Sequence, residues 1–141
     1  FLYWSITIVI TIDIYLSTFF RGAFGEAAIS DLYPKLLKRL DDSSDVVRIS
    51  IAHTLEMFML AGPKQCYSST MLGYTLDQLF IHLDDSNASI QECMYKVIMA
   101  CSEVDSKIVL KKAEAALDSS RDAQYCRKII SILTDGYEII E

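Results

Sequence analysis

The sequence lacks a concentration of positive charge. Its 141 residues contain 13 Lys and Arg against 19 Asp and Glu, which gives a formal net charge of −6. Nucleic-acid binding needs clustered Lys and Arg to replace the counterions of the phosphates. The basic cluster of Lys35, Lys38 and Arg39 is followed at once by Asp41 and Asp42, a pattern that is typical of a solvated helix face. The composition therefore argues against a nucleic-acid partner.

The sequence also lacks the spacings of a metal site or a catalytic centre. Its four cysteines form no CxxC motif, and its two histidines are far apart. The carboxylate pairs at 41–42 and 84–85 lie in polar turns, and an EF-hand that began at Asp41 would have Val46 where the loop requires Gly. GAFG at 22–25 is neither a P-loop nor a dinucleotide fingerprint. We therefore predict no metal, no cofactor and no enzymatic activity, and we interpret the cysteines as reduced thiols of a cytoplasmic protein.

Charge is nearly absent from the first twenty residues, FLYWSITIVITIDIYLSTFF, which contain no Lys, Arg or Glu and a single Asp at position 13. Their length suits a membrane span, but the Asp would oppose insertion by about 2.5 to 3.5 kcal/mol. Their alternation suits a β-strand, but the rest of the chain offers no second strand. We interpret residues 1–20 as an apolar segment foreign to the domain that follows, as at a truncated or misread boundary of a fragment, which can still form a helix. A membrane anchor is the alternative.

The rest of the sequence repeats itself. LDDS at 40–43 returns at 83–86, so the two copies are offset by 43 residues. The apolar positions around both copies match, with Val47 over Ile90. Each copy reads as two helices that flank a polar break rich in capping side chains. A third, weaker pair surrounds LDSS at 117–120, and terminal repeats are expected to be atypical.

This periodicity predicts an all-α fold, an α-solenoid of antiparallel helix pairs with about two and a half to three repeats. The first helix is predicted to run from about Asp31 to Leu40, with Pro34 in its opening turn, where the missing N–H costs nothing. The predicted domain spans 21–135 and is followed by a tail at 136–141. Its units are placed at about 30–61, 70–102 and 105–134.

The first unit resembles the HEAT repeat family, whose period is similar. In LLKRLDDSSDVVRISIAHTL, five residues stand where that family has its Asp, its Val-Arg pair, a small residue and a Leu: Asp42, Val47, Arg48, Ala52 and Leu55. The resemblance implies a structural ladder of hydrogen bonds between repeats, with Asp42, Arg48 and Asp85 as its members. The second unit departs from the family pattern, with Gln91 at the Arg position and Tyr95 at the small position.

A narrower resemblance covers about residues 26 to 135. LYPKLLKRLDDSSDVVRISIAHTL, followed by LFIHLDDSNASIQE and a degenerate last pair, is similar to the C-terminal repeats of the HEAT-repeat assembly factors of axonemal dynein. This resemblance implies a cytoplasmic, non-enzymatic scaffold that binds dynein chains or chaperone machinery while dynein arms are preassembled for cilia. The alternatives are a general HEAT-repeat adaptor for transport or phosphatase assembly, and a membrane-anchored helical adaptor that uses residues 1–20.

The second helix of each unit supplies the candidate partner face. If the units stack as in HEAT arrays, these helices line the concave surface, which is the usual binding face. The candidate residues are those that lie off the apolar stripe: Ile49, His53, Glu56, Met57, Glu92, Lys96, Met99 and Glu103. The alternative for each of them is plain solvent exposure.

Overall fold

The structure, a computed structural model, describes residues 26–138. This part of the chain contains α-helices, two short 3-10 turns and no β-strand, so the predicted all-α class is confirmed for it. The predictions for residues 1–20 and for residues 139–141 of the tail lie outside the described residues. The helices are α1 (Glu26–Lys38), α2 (Asp45–Ala61), α3 (Ser69–Leu83), α4 (Ala88–Val104), α5 (Ser106–Leu117) and α6 (Gln124–Glu138), and the 3-10 turns are Arg39–Asp41 and Lys64–Cys66.

Short polar side chains fix where three of these helices begin. Ser68 accepts a hydrogen bond from the backbone N–H of Met71 at 3.2 Å, before α3. Asn87 accepts one from the N–H of Ser89 at 2.9 Å, before α4. Asp105 does the same before α5, where the N–H groups of residues 107 and 108 lie 3.1 and 3.2 Å from its carboxylate. Each cap satisfies donors that have no partner inside the helix.

The predicted start of the first helix is wrong. α1 begins at Glu26, so Pro34 lies inside the helix and not in its opening turn. The reason is that residues 26–28 are Glu-Ala-Ala, which are strong helix formers. Pro34 removes the N–H that would have bonded to the carbonyl of Ser30. Because Ser30 is exposed, water can satisfy that carbonyl.

The core lies between the helix pairs. α2 and α4 bury matching apolar positions: Val47 and Ile90, Ile51 and Met94, and Leu55 and Ile98. α2 packs along α4, α3 packs against α4 and α5, and α5 packs against α6. The contacts between successive helix pairs therefore include that of α2 with α4, which are the second helices of their pairs, and that of α3 with α5, which are the first helices of theirs. Within residues 26–138, no helix has both the length and the hydropathy that a membrane crossing requires.

Candidate protein-binding surface

The turn before α2 is tied to the turn before α4 through Arg48. The Nη1 atom of Arg48 donates to Oδ2 of Asp85 at 3.0 Å, and its Nη2 atom donates to Oδ1 of Asp45 at 2.5 Å. Asn87 adds a second link, since its Nδ2 atom lies 2.9 Å from Oδ2 of Asp45. The side chains of Arg48 and Asp85 are only 16% and 20% exposed. The charges of this link are therefore largely shielded from water.

Asp42 does not take part in the Arg48 contact. Its carboxylate accepts hydrogen bonds from the side chain of Arg39 at 3.2 Å and from the backbone N–H of Ser44 at 2.9 Å. Of the three residues predicted to form the structural ladder, the structure brings Arg48 and Asp85 together and places Asp42 in a local turn.

The turn before α4 is also tied to the turn before α6. The carboxylate of Asp84 accepts hydrogen bonds from the backbone N–H groups of Arg121 and Asp122, both at 3.1 Å, and from Nε of Arg121 at 3.2 Å. Nε2 of His82 lies 2.9 Å from Oδ1 of Asp41 and adds a contact back to the first turn. We call these contacts, together with those of Arg48 and Asn87, the turn network. It links all three polar breaks of the repeat.

The turn network lowers the pKa values of Asp84 and Asp85. The N–H groups of Asp122 and Arg121 lower the pKa of Asp84. The N–H of Asn87, and after it the Arg48 guanidinium, lowers the pKa of Asp85 against the opposing effect of its burial. Each of these groups favours the charged carboxylate, so both side chains are held ionised in the fold.

A shallow depression of about 380 Å³ lies between the C-terminal halves of α2 and α4. It brings together four residues of the candidate partner face: Glu56, Lys96, Met99 and Glu103. The repeat offset of 43 explains the arrangement, because position 56 corresponds to 99 and position 60 to 103. We call this depression the α2–α4 groove; its lining residues are Glu56, Leu60, Tyr95, Lys96, Met99, Ala100 and Glu103.

The structure places the other four candidate residues outside the groove. Ile49 is half-buried against the core, and Met57 is also half-buried. His53 is exposed, with its Nδ1 atom 3.8 Å from Oε2 of Glu56. Glu92 accepts a hydrogen bond from the hydroxyl of Tyr125 at 3.0 Å, so it takes part in the contact between α4 and α6.

Sequence reasoning missed three residues of the groove, Leu60, Tyr95 and Ala100. Leu60 is a large apolar side chain that is 58% exposed. Its position four residues after Glu56 would have placed it on the same helical face. The ring of Tyr95 packs against that of Tyr125, with centroids 5.3 Å apart, and Nζ of Lys128 lies 4.4 Å from its centroid. The sequence contained one local indication of this packing, which was the presence of a large Tyr95 at the position where the HEAT pattern has a small residue.

The thiols of Cys93, Cys101 and Cys126 are poorly suited to nucleophilic chemistry. Burial raises the pKa of Cys101 to about 12 and also raises the pKa values of Cys93 and Cys126. A thiol is a nucleophile only as the thiolate, which a raised pKa disfavours. Between residues 26 and 138 we find no group of His, Cys, Asp and Glu side chains arranged to hold a metal ion. The α2–α4 groove presents apolar and charged side chains, the kinds of group that meet at protein–protein interfaces.

Comparisons with known proteins identify dynein assembly factors as relatives. The chain is 34% identical over 103 residues to Dynein axonemal assembly factor 5 of Homo sapiens, 33% over 104 residues to that of Mus musculus and 31% over 105 residues to that of Xenopus laevis. The matches cover 70 to 72% of this chain but only 12% of the length of each relative. No family model matches the chain, and no solved structure is significantly similar to it. The resemblance to dynein assembly factors is confirmed, whereas the HEAT pattern stays a prediction.

Proposed function

We propose that this chain is a non-enzymatic, protein-binding part of the machinery that assembles axonemal dynein arms, and that it acts in the cytoplasm before the arms reach the cilium. The observation that carries the proposal is the similarity of about 70% of the chain to three proteins named as dynein axonemal assembly factors. The partners would be dynein chains or the chaperones that fold them. Since the chain spans 12% of those relatives, the proposal concerns the part that it plays within such a protein.

We further propose that the domain at 21–135 is a HEAT-type solenoid. The packing of α2 on α4 and of α3 on α5 supports this, because like helices of successive pairs are then neighbours. The turn network supports it too, since each polar break is bonded to the next.

Binding, and not catalysis, is the mechanism that the side chains support. Both histidines lie beside carboxylates, His53 near Glu56 and His82 near Asp41, with no cysteine among these contacts. The candidate partner face instead offers charged residues of both signs around an apolar floor. In this proposal the repeats hold the face rigid, and the face captures a client protein.

The test is a rescue experiment in cells that express this protein and build motile cilia. The gene is disrupted, the natural full-length protein is returned, and dynein arms are counted in axoneme cross-sections by electron microscopy. We expect arms to be missing without the protein and restored with it, together with coprecipitation of axonemal dynein chains from cytoplasmic extract. Normal arms in the disrupted cells would refute the proposal.

Charge reversal at two groove residues tests the surface itself. We expect the double variant Glu56→Lys, Lys96→Glu to coprecipitate less axonemal dynein chain than the natural protein, because it reverses two of the three charges that line the groove. Its melting temperature should stay the same, since neither residue is fully buried. The matched control is Lys111→Glu, Glu114→Lys, an equivalent exchange between exposed residues of α5. Unchanged capture by the groove variant would contradict the assignment of the face.

A further inference from the structure

We propose that the α2–α4 groove binds a partner segment in which an apolar side chain lies next to Lys or Arg. The inference rests on the proposed function as a protein-binding module and specifies the chemistry of the partner. Two independent features of the groove carry it, an exposed apolar surface and an uncompensated negative charge at one end.

The apolar feature is centred on Leu60. This side chain is 58% exposed at the rim of the groove, whereas Met99 and Ala100 are partly or fully buried and form its floor. Apolar groups that converge on a concave site beside charged residues are typical of the centre of a protein interface. An apolar side chain of a partner would cover Leu60 and contact this floor.

The charge feature comes from the ends of the two helices. Leu60 near the end of α2 and Glu103 near the end of α4 line the same groove, so the two C-termini lie at the same end of it. The C-terminus of a helix carries a partial negative charge, which Lys or Arg in the last turn commonly offsets. Neither α2 nor α4 has a basic residue in its last turn, and Glu103 adds a full negative charge there. This end of the groove is complementary to a cation.

Lys96, the cation among the groove residues, lies toward the other end of the groove. Lys96 is seven residues before Glu103 on α4, which is about 10 Å of helical rise. Lys128 lies over the ring of Tyr95, the neighbour of Lys96. The potential therefore changes sign along the groove, and a basic group of the partner is favoured at the Glu103 end. An acidic segment would meet the carboxylate of Glu103 and two helix C-termini in the same place.

A peptide selection tests this charge preference without knowledge of the natural partner. The immobilised natural protein is used to select from a library of random 12-residue peptides displayed on phage. We expect the selected peptides to carry Lys or Arg next to a large apolar residue. The synthetic peptides should bind at least ten-fold more weakly to the double variant Glu56→Lys, Glu103→Lys. The control Glu114→Lys, Asp118→Lys makes the same change of charge at two exposed residues, one in α5 and one directly after it, and should bind as the natural protein does.

Several outcomes would overturn the inference. They are a selection that yields no binding peptides, selected peptides without an excess of basic residues, and equal affinity for the natural protein and the groove variant. Thermal unfolding shows whether the double variant is folded, and Glu103→Gln, which removes one exposed charge, serves as the milder second variant with an expected loss of at least three-fold. Dynein arms that need the protein, together with peptides that lack basic residues, would leave the proposed function standing and this inference refuted. Normal dynein arms in the disrupted cells, together with selected peptides that are basic, would refute the proposed function and leave this inference standing.

Discussion

Removal of the contact between Arg48 and Asp85 tests how much this contact stabilises the packing of neighbouring helix pairs. Arg48→Met keeps most of the aliphatic stem and removes the guanidinium, so the change acts on charge and hydrogen bonding more than on packing. A hydrogen bond to a charged group contributes about 1.5 to 3 kcal/mol. The bond to Asp85 joins side chains that are 16% and 20% exposed, whereas Asp45, the other partner, is 48% exposed. We therefore expect the Asp85 bond to dominate and the free energy of unfolding to fall by about 2 kcal/mol.

A double-mutant cycle isolates that contact. Arg48→Met, Asp85→Asn and the combination of both are unfolded in urea and followed by far-UV circular dichroism. We expect a coupling energy of about 1 to 2 kcal/mol. The unfolding midpoint of Arg48→Met should fall by about 1 M, for a denaturant dependence of roughly 2 kcal/mol per M.

The exposed pair of Asp31 and Lys35 is the control for this cycle. The distance from Nζ of Lys35 to Oδ2 of Asp31 is 2.9 Å, similar to that of the Arg48–Asp85 contact, but the side chains of Asp31 and Lys35 are 69% and 67% exposed. Lys35→Met should therefore change the free energy of unfolding by no more than about 0.5 kcal/mol. A coupling energy below about 0.5 kcal/mol for Arg48 and Asp85 would show that their contact behaves as a surface ion pair. The reasoning from burial would then be refuted.

Two further predictions concern glycine and acid. Gly62→Ala should lower the stability by about 1 to 3 kcal/mol, measured by thermal unfolding, because a Cβ there would collide with the Tyr67 hydroxyl and lie 3.1 Å from the Phe58 carbonyl oxygen. Gly73→Ala should raise it by about 0.5 to 1 kcal/mol, since the nearest atom to that Cβ is 3.9 Å away in a helix interior. Equal effects of the two changes would contradict this. Asp84 has a pKa below its ordinary 3.8 in the fold, so its stabilisation is present above about pH 4 and is lost as the pH falls through the folded pKa. Asp84→Asn should flatten the pH dependence of the melting temperature in that acid range, and an unchanged dependence would count against the role of the turn network.

The helices were predictable because their signals are local. Val47, Ile51 and Leu55 recur every four residues, which is one face of a helix, and the capping residue Asn87 lies in the polar break that the sequence shows. The start of α1 was not predictable in this way. Pro34 is favoured in a first helical turn, and that local preference competed with the helix-forming residues before it. The longer helix prevailed, since the chain lost one hydrogen bond at an exposed residue and gained five helical residues, about one and a half turns.

The groove was predictable in part, for a different reason. A repeat places equivalent positions of successive units side by side, so the offset of 43 residues brought Glu56 and Met99 into one surface. The contact of Asp84 with Arg121 could not be found in this way. It joins a side chain to backbone N–H groups of another turn, and its geometry depends on how two units pack. Local spacing contains no information about that distance.

The charges of the turn network and those of the proposed binding groove lie at opposite ends of α2 and α4. Arg48, Asp84 and Asp85 are paired in the turn network at the start of the second helices. The charges at the other end of α2 and α4 are arranged differently: Lys96 and Glu103 form no ion pair with another described residue and are exposed. Positions 48 and 60 on α2 are about 18 Å apart along the helix. Changes of charge at Lys96 and Glu103 should therefore cost little stability, because they break no ion pair between described residues, and their effects on binding can be measured on a folded protein.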